Sequence, residues 1–162
     1  MGVHVSEAWA RCAAAKLDLE SECVRIANDE VPPGAYTANS HSELLKLPSD
    51  ERCRLLASFN SNSTITSLEL SHTGIDVPAA RVLASLLSGR NTALTALNIE
   101  RNHISSEGIV LLSLMLAKNS TLRVLKLAYQ QVTISSAAEL QIAEQLERNT
   151  TLLKLTIDLR QA

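Results

Sequence analysis

Asn62-Ser-Thr-Ile65-Thr-Ser-Leu68-Glu-Leu70 is one of four copies of a single phrase. The others are Asn91-Thr-Ala-Leu94-Thr-Ala-Leu97-Asn-Ile99, Asn119-Ser-Thr-Leu122-Arg-Val-Leu125-Lys-Leu127 and Asn149-Thr-Thr-Leu152-Leu-Lys-Leu155-Thr-Ile157. Their first apolar residues, Ile65, Leu94, Leu122 and Leu152, fall at successive intervals of 29, 28 and 30 residues. A fixed period of this length is the mark of a stacked array. In each phrase the alternation predicts a short strand with its apolar side chains on one face.

After each phrase the best copy continues to Asn102 and Ile104, where the other units have Thr73 with Ile75 and Gln130 with Val132. Amphipathic stretches follow: Ala80, Leu83, Ala84 and Leu87; Ile109, Leu112 and Leu116; Leu140, Ala143 and Leu146. Each unit therefore reads as strand, loop and helix, the long form of the leucine-rich repeat. One unit cannot close its core, but stacked units can. The expected fold class is α/β, a short curved leucine-rich-repeat solenoid with parallel strands on the concave face and helices on the convex face.

Working outward, residues 1–33 are expected as a helical cap, with Ser6 capping and Trp9, Ala13, Leu17, Cys23 and Ile26 as its buried stripe. Pro32-Pro33-Gly34 breaks that helix, and a degenerate unit spans 34–64. It combines an edge strand over Ala35–Ala38 with a helix that starts near Pro48-Ser49-Asp50-Glu51 and passes Leu55, Leu56 and Phe59. Repeats at 65–93, 94–121 and 122–151 and a terminal strand at 152–162 complete a single domain over 1–162.

The alternation assigns the solvent side of the strands to Ser67, Glu69 and Ser71; Ala96, Asn98 and Glu100; Val124, Lys126 and Ala128; and Lys154, Thr156 and Asp158. Acids mark the early units and lysines the later ones.

Composition narrows the function classes. A net charge of −2 provides no long-range field toward nucleic acid or an anionic membrane, so neither is expected as a partner. No apolar run long enough to span a bilayer and no secretory signal are readable, which points to a cytoplasmic protein. Cys12, Cys23 and Cys53 are odd in number and lack C-x-x-C spacing, so free thiols in a reducing compartment are expected. Asn62-Ser-Thr64, Asn119-Ser-Thr121 and Asn149-Thr-Thr151 fit the glycosylation pattern, but their place in the repeat makes them structural turn residues. Met1-Gly2 with Ser6 fits the myristoylation pattern, although Ser6 also serves as a helix cap. One acyl chain would give no stable membrane insertion.

Catalytic signatures do not emerge. His4, His41, His72 and His103 share no metal-ligand spacing, and the five glycines form no phosphate-binding loop. The serines and cysteines lie in no recognisable nucleophile context. The expectation is a non-enzymatic interaction module without cofactor or metal.

One family resembles this chain more closely than the general repeat. Leu97-Asn-Ile-Glu-Arg-Asn-His-Ile-Ser105, Leu125-Lys-Leu-Ala-Tyr-Gln-Gln131 and Glu139-Leu-Gln-Ile-Ala-Glu-Gln-Leu-Glu-Arg-Asn-Thr-Thr-Leu-Leu-Lys154 resemble the C-terminal repeat domain of tropomodulin and leiomodin. That family reads L-N-V-E-S-N-F-I-T, L-K-I-D-N-Q-R-Q and E-M-E-I-A-x-M-L-E-x-N-T-T-L-L-K. The resemblance covers roughly residues 43–157 and extends to surface residues such as Glu144, Glu147 and Lys154. It implies actin binding at the filament pointed end and a cytoskeletal location. Tropomyosin is not an expected partner, since the family's extended N-terminal half has no counterpart in this stretch. The alternative is a general scaffold in another cytoskeletal, axonemal or signalling assembly. Candidate partner-binding residues are His72, Arg101, His103, Tyr129, Gln130 and Gln131 on the loops and one strand rim, with Lys126 and Lys154 on the concave face.

Overall fold

A computed structural model describes residues 18–158 except Arg90 and Thr92. In chain order the elements are α1 (Leu19–Ala27), β1 (Gly34–Thr37), α2 (Ser42–Lys46), α3 (Ser49–Ser58), β2 (Ile65–Glu69), α4 (Val77–Ser88), β3 (Ala96–Asn98), α5 (Ser106–Leu116), β4 (Val124–Lys126), α6 (Ser136–Arg148) and β5 (Lys154–Thr156). The five strands form one parallel sheet in sequential order, β1-β2-β3-β4-β5. Each crossover runs through a helix, and neighbouring helices pack together along the opposite layer. The α/β solenoid expected from the repeat is observed.

Register explains how four similar phrases make one core. Tyr36, Leu68, Leu97, Leu125 and Leu155 are paired in turn across the sheet. The first four are buried against the helices, while Leu155 on the edge strand is half-buried. Tyr36 meets Phe59, at the end of the helix that follows it in the same unit, edge-on, with ring centroids 5.0 Å apart. Such edge-to-face pairs add about 0.5–1.5 kcal/mol beyond area burial. Gly108 leaves room for Ile104 to pack on the first turn of α5, because a Cβ there would lie 2.6 Å from Cγ2 of Ile104, while the distance to Cβ of Ala80 in α4 would be an ordinary 3.4 Å.

The repeated asparagine supplies the polar counterpart of that core. Asn62 donates from Nδ2 to the Ile26 carbonyl at 2.8 Å, and its Oδ1 accepts from the amides of Thr64 (3.1 Å) and Ile65 (2.7 Å). Asn91 donates to the carbonyls of Phe59 (2.8 Å) and Asn62 (3.0 Å), and Asn119 to that of Leu87 (2.7 Å). Asn149 donates to the carbonyls of Leu116 and Asn119. Each side chain therefore starts its own strand and closes the C-terminal end of a helix in the layer before it. Burial of Asn62 and Asn119 makes these sequons structural.

Several local expectations are corrected. Helix α6 buries Ala138, Ile142 and Gln145, whereas Leu140 is 64% exposed and Ala143 faces solvent. The third unit closes with Ile134, while Val132 is exposed. Asn98 and Ala128 are buried on the sheet face assigned to solvent, because parallel strands about 4.8 Å apart let flanking side chains cover a short one. Asn98 also donates to the Glu69 carboxylate at 2.8 Å. The edge strand occupies Gly34–Thr37, one residue earlier than read, and α2 was not anticipated. Pro48 holds the N-cap position of α3 without a side-chain bond.

Within the expected cap, α1 contains Cys23 and buries Ile26. Cys23 and Cys53 are free and half-buried, and burial pushes both thiols above their ordinary range. Gly2, Ser6, Trp9, Cys12, Ala13 and Leu17, and with them the residues that fit the myristoylation pattern, lie outside the described residues. No described helix is long and apolar enough to cross a membrane.

Candidate functional site

The turn leaving each strand returns to the same unusual conformation. Ser40, His72, Arg101 and Tyr129 have φ of 54°, 54°, 56° and 61°, all in the left-handed region. For a residue with a Cβ that geometry costs about 1–2 kcal/mol. Stacking overrides the cost: His72 donates its amide to the Glu100 carbonyl (3.0 Å), and Arg101 to that of Ala128 (3.1 Å). Tyr129 donates to the Asp158 carboxylate at 2.5 Å.

Because the turns superpose, their side chains converge. His72, Arg101, Tyr129 and Gln131 line one shallow cleft of about 290 Å³. The Arg101 guanidinium stands 5.3 Å from the centroid of the Tyr129 ring, within cation–π range. Tyr129 is 61% exposed, so the ring presents contact area outward. The Nδ1 of His72 lies 3.4 Å from the Ser40 hydroxyl, extending the row toward β1.

The other candidate residues are placed elsewhere. His103 is exposed on the same rim, on the loop entering α5, with its amide donated to the Ile75 carbonyl at 2.9 Å. Gln130 turns its amide inward, donating to the carbonyls of Ile99 (2.9 Å) and Leu127 (3.0 Å) and accepting from the Ile104 amide (3.2 Å). Asn102 makes the equivalent bonds one repeat earlier, to Leu70, Ile99, Thr73 and Ile75. Lys126 and Lys154 stand on the sheet face, Lys126 half-buried between Asn98 and Thr156 in register and Lys154 exposed. Ser40 and Asp158 are parts of the rim that the sequence reading missed. Ser40 was recognisable only by aligning the degenerate first unit with the others.

Electrostatics separate the rim from the interior. Among the described residues Arg101 forms no ion pair, although Arg25, Arg54 and Arg81 have Glu22, Glu20 and Glu107 as partners. Beneath the rim, Arg52 is buried and donates to the carbonyls of Leu44 (3.3 Å) and Leu47 (2.9 Å), with Asp76 at 3.8 Å. Asp76 caps α4 through the Ala79 amide (3.0 Å) and accepts from the Ser49 hydroxyl (2.6 Å). Burial pushes the Asp76 carboxyl up, but the bonds from Ser49 and Ala79 and the Arg52 charge outweigh it and hold the group below its ordinary value. No group of three described His, Cys, Asp or Glu residues is arranged to hold a metal ion.

A family model, the TMOD/LMOD leucine-rich domain, matches residues 43–162. The chain belongs to this family. The TMOD/LMOD match includes the whole rim from His72 to Gln131. Among curated relatives, mouse leiomodin-3 is 30% identical over 146 residues, which are 90% of this chain and 25% of the relative. Rat leiomodin-1 is 33% identical over 102 residues, covering 63% and 17% respectively. The chain thus spans a quarter or less of the length of these relatives. A solved structure described as Leiomodin-1 Actin-Binding Site 2 superposes with TM-score 0.81 at 26% identity, covering 91% of this chain and 83% of that one. The Caenorhabditis elegans tropomodulin C-terminal domain gives TM-score 0.77 at 21% identity, covering 89% and 84%, a likeness of fold.

Within this TMOD/LMOD domain the rim is rigidly supported. Its turns are tied by backbone bonds between layers and by the inward amides of Asn102 and Gln130. A preorganised row of exposed Arg, Tyr and His is suited to protein contact, since little ordering remains to be done on binding.

Proposed function

We propose that this domain is a non-enzymatic, cytoskeleton-associated module that binds actin through the strand-to-helix rim. The carrying observation is the likeness to the leiomodin-1 structure described as an actin-binding site, at 26% identity across 91% of this chain. The rim supports the reading because it offers Arg101 and Tyr129 as exposed anchors on a rigid frame. Lys126 and Lys154 on the sheet face and His103 beside the cleft are flanking contacts in this proposal.

The finer reading is occupancy of the filament's pointed end. Two measurements test it at micromolar protein: co-sedimentation with filaments, and elongation of pyrene-labelled actin from filaments blocked at the fast end. Saturable binding with slower pointed-end growth is the expected result. Absence of binding to monomers and filaments alike would sink the actin reading in favour of a general repeat scaffold, whose partner a pull-down from native lysate would seek.

A further inference from the structure

The two residues that dominate the cleft are poorly matched to their own backbone. Arg101 and Tyr129 sit at left-handed turn positions where the family phrases quoted above read Ser and Asn. Asn is among the side chains that tolerate this conformation best, whereas Arg and Tyr contribute nothing to it. Strained positions carrying large functional side chains point to recognition. Arg101 holds a permanent charge, laid beside the Tyr129 ring at 5.3 Å. Among the described residues no acid pairs with Arg101: Glu100 accepts from the Thr156 hydroxyl (3.0 Å) and Asp158, itself on the rim, from the Tyr129 amide.

We propose that the cleft formed by His72, Arg101, Tyr129 and Gln131 receives a carboxylate side chain from an acidic segment of the partner protein. Arg101 provides the fork of N–H donors that a carboxylate fits, and the Tyr129 ring restricts the guanidinium to the cleft mouth. His72 and Gln131 add donors on either side of the arriving group. Its volume of about 290 Å³ and its open mouth suit an Asp or Glu side chain presented on a chain. The inference deepens the actin reading and rests on it for the identity of the partner.

Arg101→Ser and Tyr129→Asn test it without endangering the fold, because each installs a smaller polar residue at the left-handed turn. Both variants should melt at or above the wild-type temperature. Arg101→Ser should bind actin about tenfold more weakly in low salt, the effect of losing one charge-assisted hydrogen bond, and the difference should shrink in high salt. In parallel, the blocked peptide acetyl-Gly-Glu-Glu-Glu-Gly-amide and inorganic phosphate are titrated into isotope-labelled protein. The peptide should shift the resonances of Arg101, Tyr129 and His72 at lower concentration than phosphate does, and Arg101→Ser should abolish the shifts.

A peptide that leaves these resonances unmoved, or phosphate that matches it, overturns the inference. So does an Arg101→Ser variant that binds actin like the wild type. Wild-type protein that ignores actin but responds selectively to the peptide defeats the actin reading and supports the cleft. Actin binding indifferent to both the peptide and Arg101→Ser does the reverse.

Discussion

The Arg52 guanidinium occupies the space where a side chain at Gly74 would begin: a Cβ there would lie 3.0 Å from Nη2 and 3.2 Å from Cζ. Gly74 also has φ of 78°, so its lack of a side chain satisfies two demands at once. Gly74→Ala should therefore destabilise the domain by about 1–3 kcal/mol in urea unfolding. Arg52→Ala removes the buried charge that answers Asp76 and takes the donor from the Leu47 carbonyl, while the Leu44 carbonyl keeps the Leu47 amide, with an expected loss of about 3 kcal/mol.

Asn102 is buried and bonds both to its own turn and to the repeat before it. Asn102→Ala strands the amides of Thr73 and Ile75 together, while the Leu70 carbonyl keeps the Thr73 hydroxyl. The expected cost is about 2–4 kcal/mol, since each unsatisfied buried group carries its own desolvation penalty. Amide hydrogen exchange should locate the weakened protection in both adjoining turns.

Acid should weaken the fold through Asp76 and Asp29. The hydroxyl and amide of Ser63 lower Asp29, and the opposing influences described above leave Asp76 lowered as well. A carboxyl with a folded pKa below its unfolded value contributes stability that is present above the ordinary carboxylate range and is lost as pH falls through the lowered value. Asp76→Asn should give a shallower acid limb in a series of denaturant midpoints against pH. An unchanged slope would show that the network does not report on stability.

The observed register of α6 separates two apolar residues that look equivalent. Leu140→Gln should change stability by no more than about 0.5 kcal/mol, because the side chain already faces water. Ile142→Ala should cost about 2–4 kcal/mol from the core. Paired thermal melts would reveal an inverted register if Leu140→Gln proved the more damaging.

What could be read beforehand follows how local each cause is. Strand positions were legible at Leu68, Leu97 and Leu125 because alternation within one phrase decides which side is buried. The asparagines were legible as turn residues, but not their donation to the preceding layer, since that depends on stacking distance. Leu140 misled because a helical stripe in isolation does not specify which of two adjacent apolar stripes meets the neighbouring helix. At the rim, His72, Arg101, Tyr129 and Gln131 stood out as exposed loop residues. Their convergence required superposed turns, and Gln130 turned inward because its amide continues the row begun by Asn102.

The Asn62, Asn91, Asn119 and Asn149 side chains have a mechanical consequence. Each one fastens a layer to a helix end that belongs to the layer before it. No middle layer can open without orphaning a polar group on its neighbour. Arrays of this kind are governed by nearest-neighbour terms, and here those terms favour zip-like loss from the ends over melting in the centre. The rim from His72 to Tyr129 lies in that interior stretch. A partner pulling on it would load the whole stack.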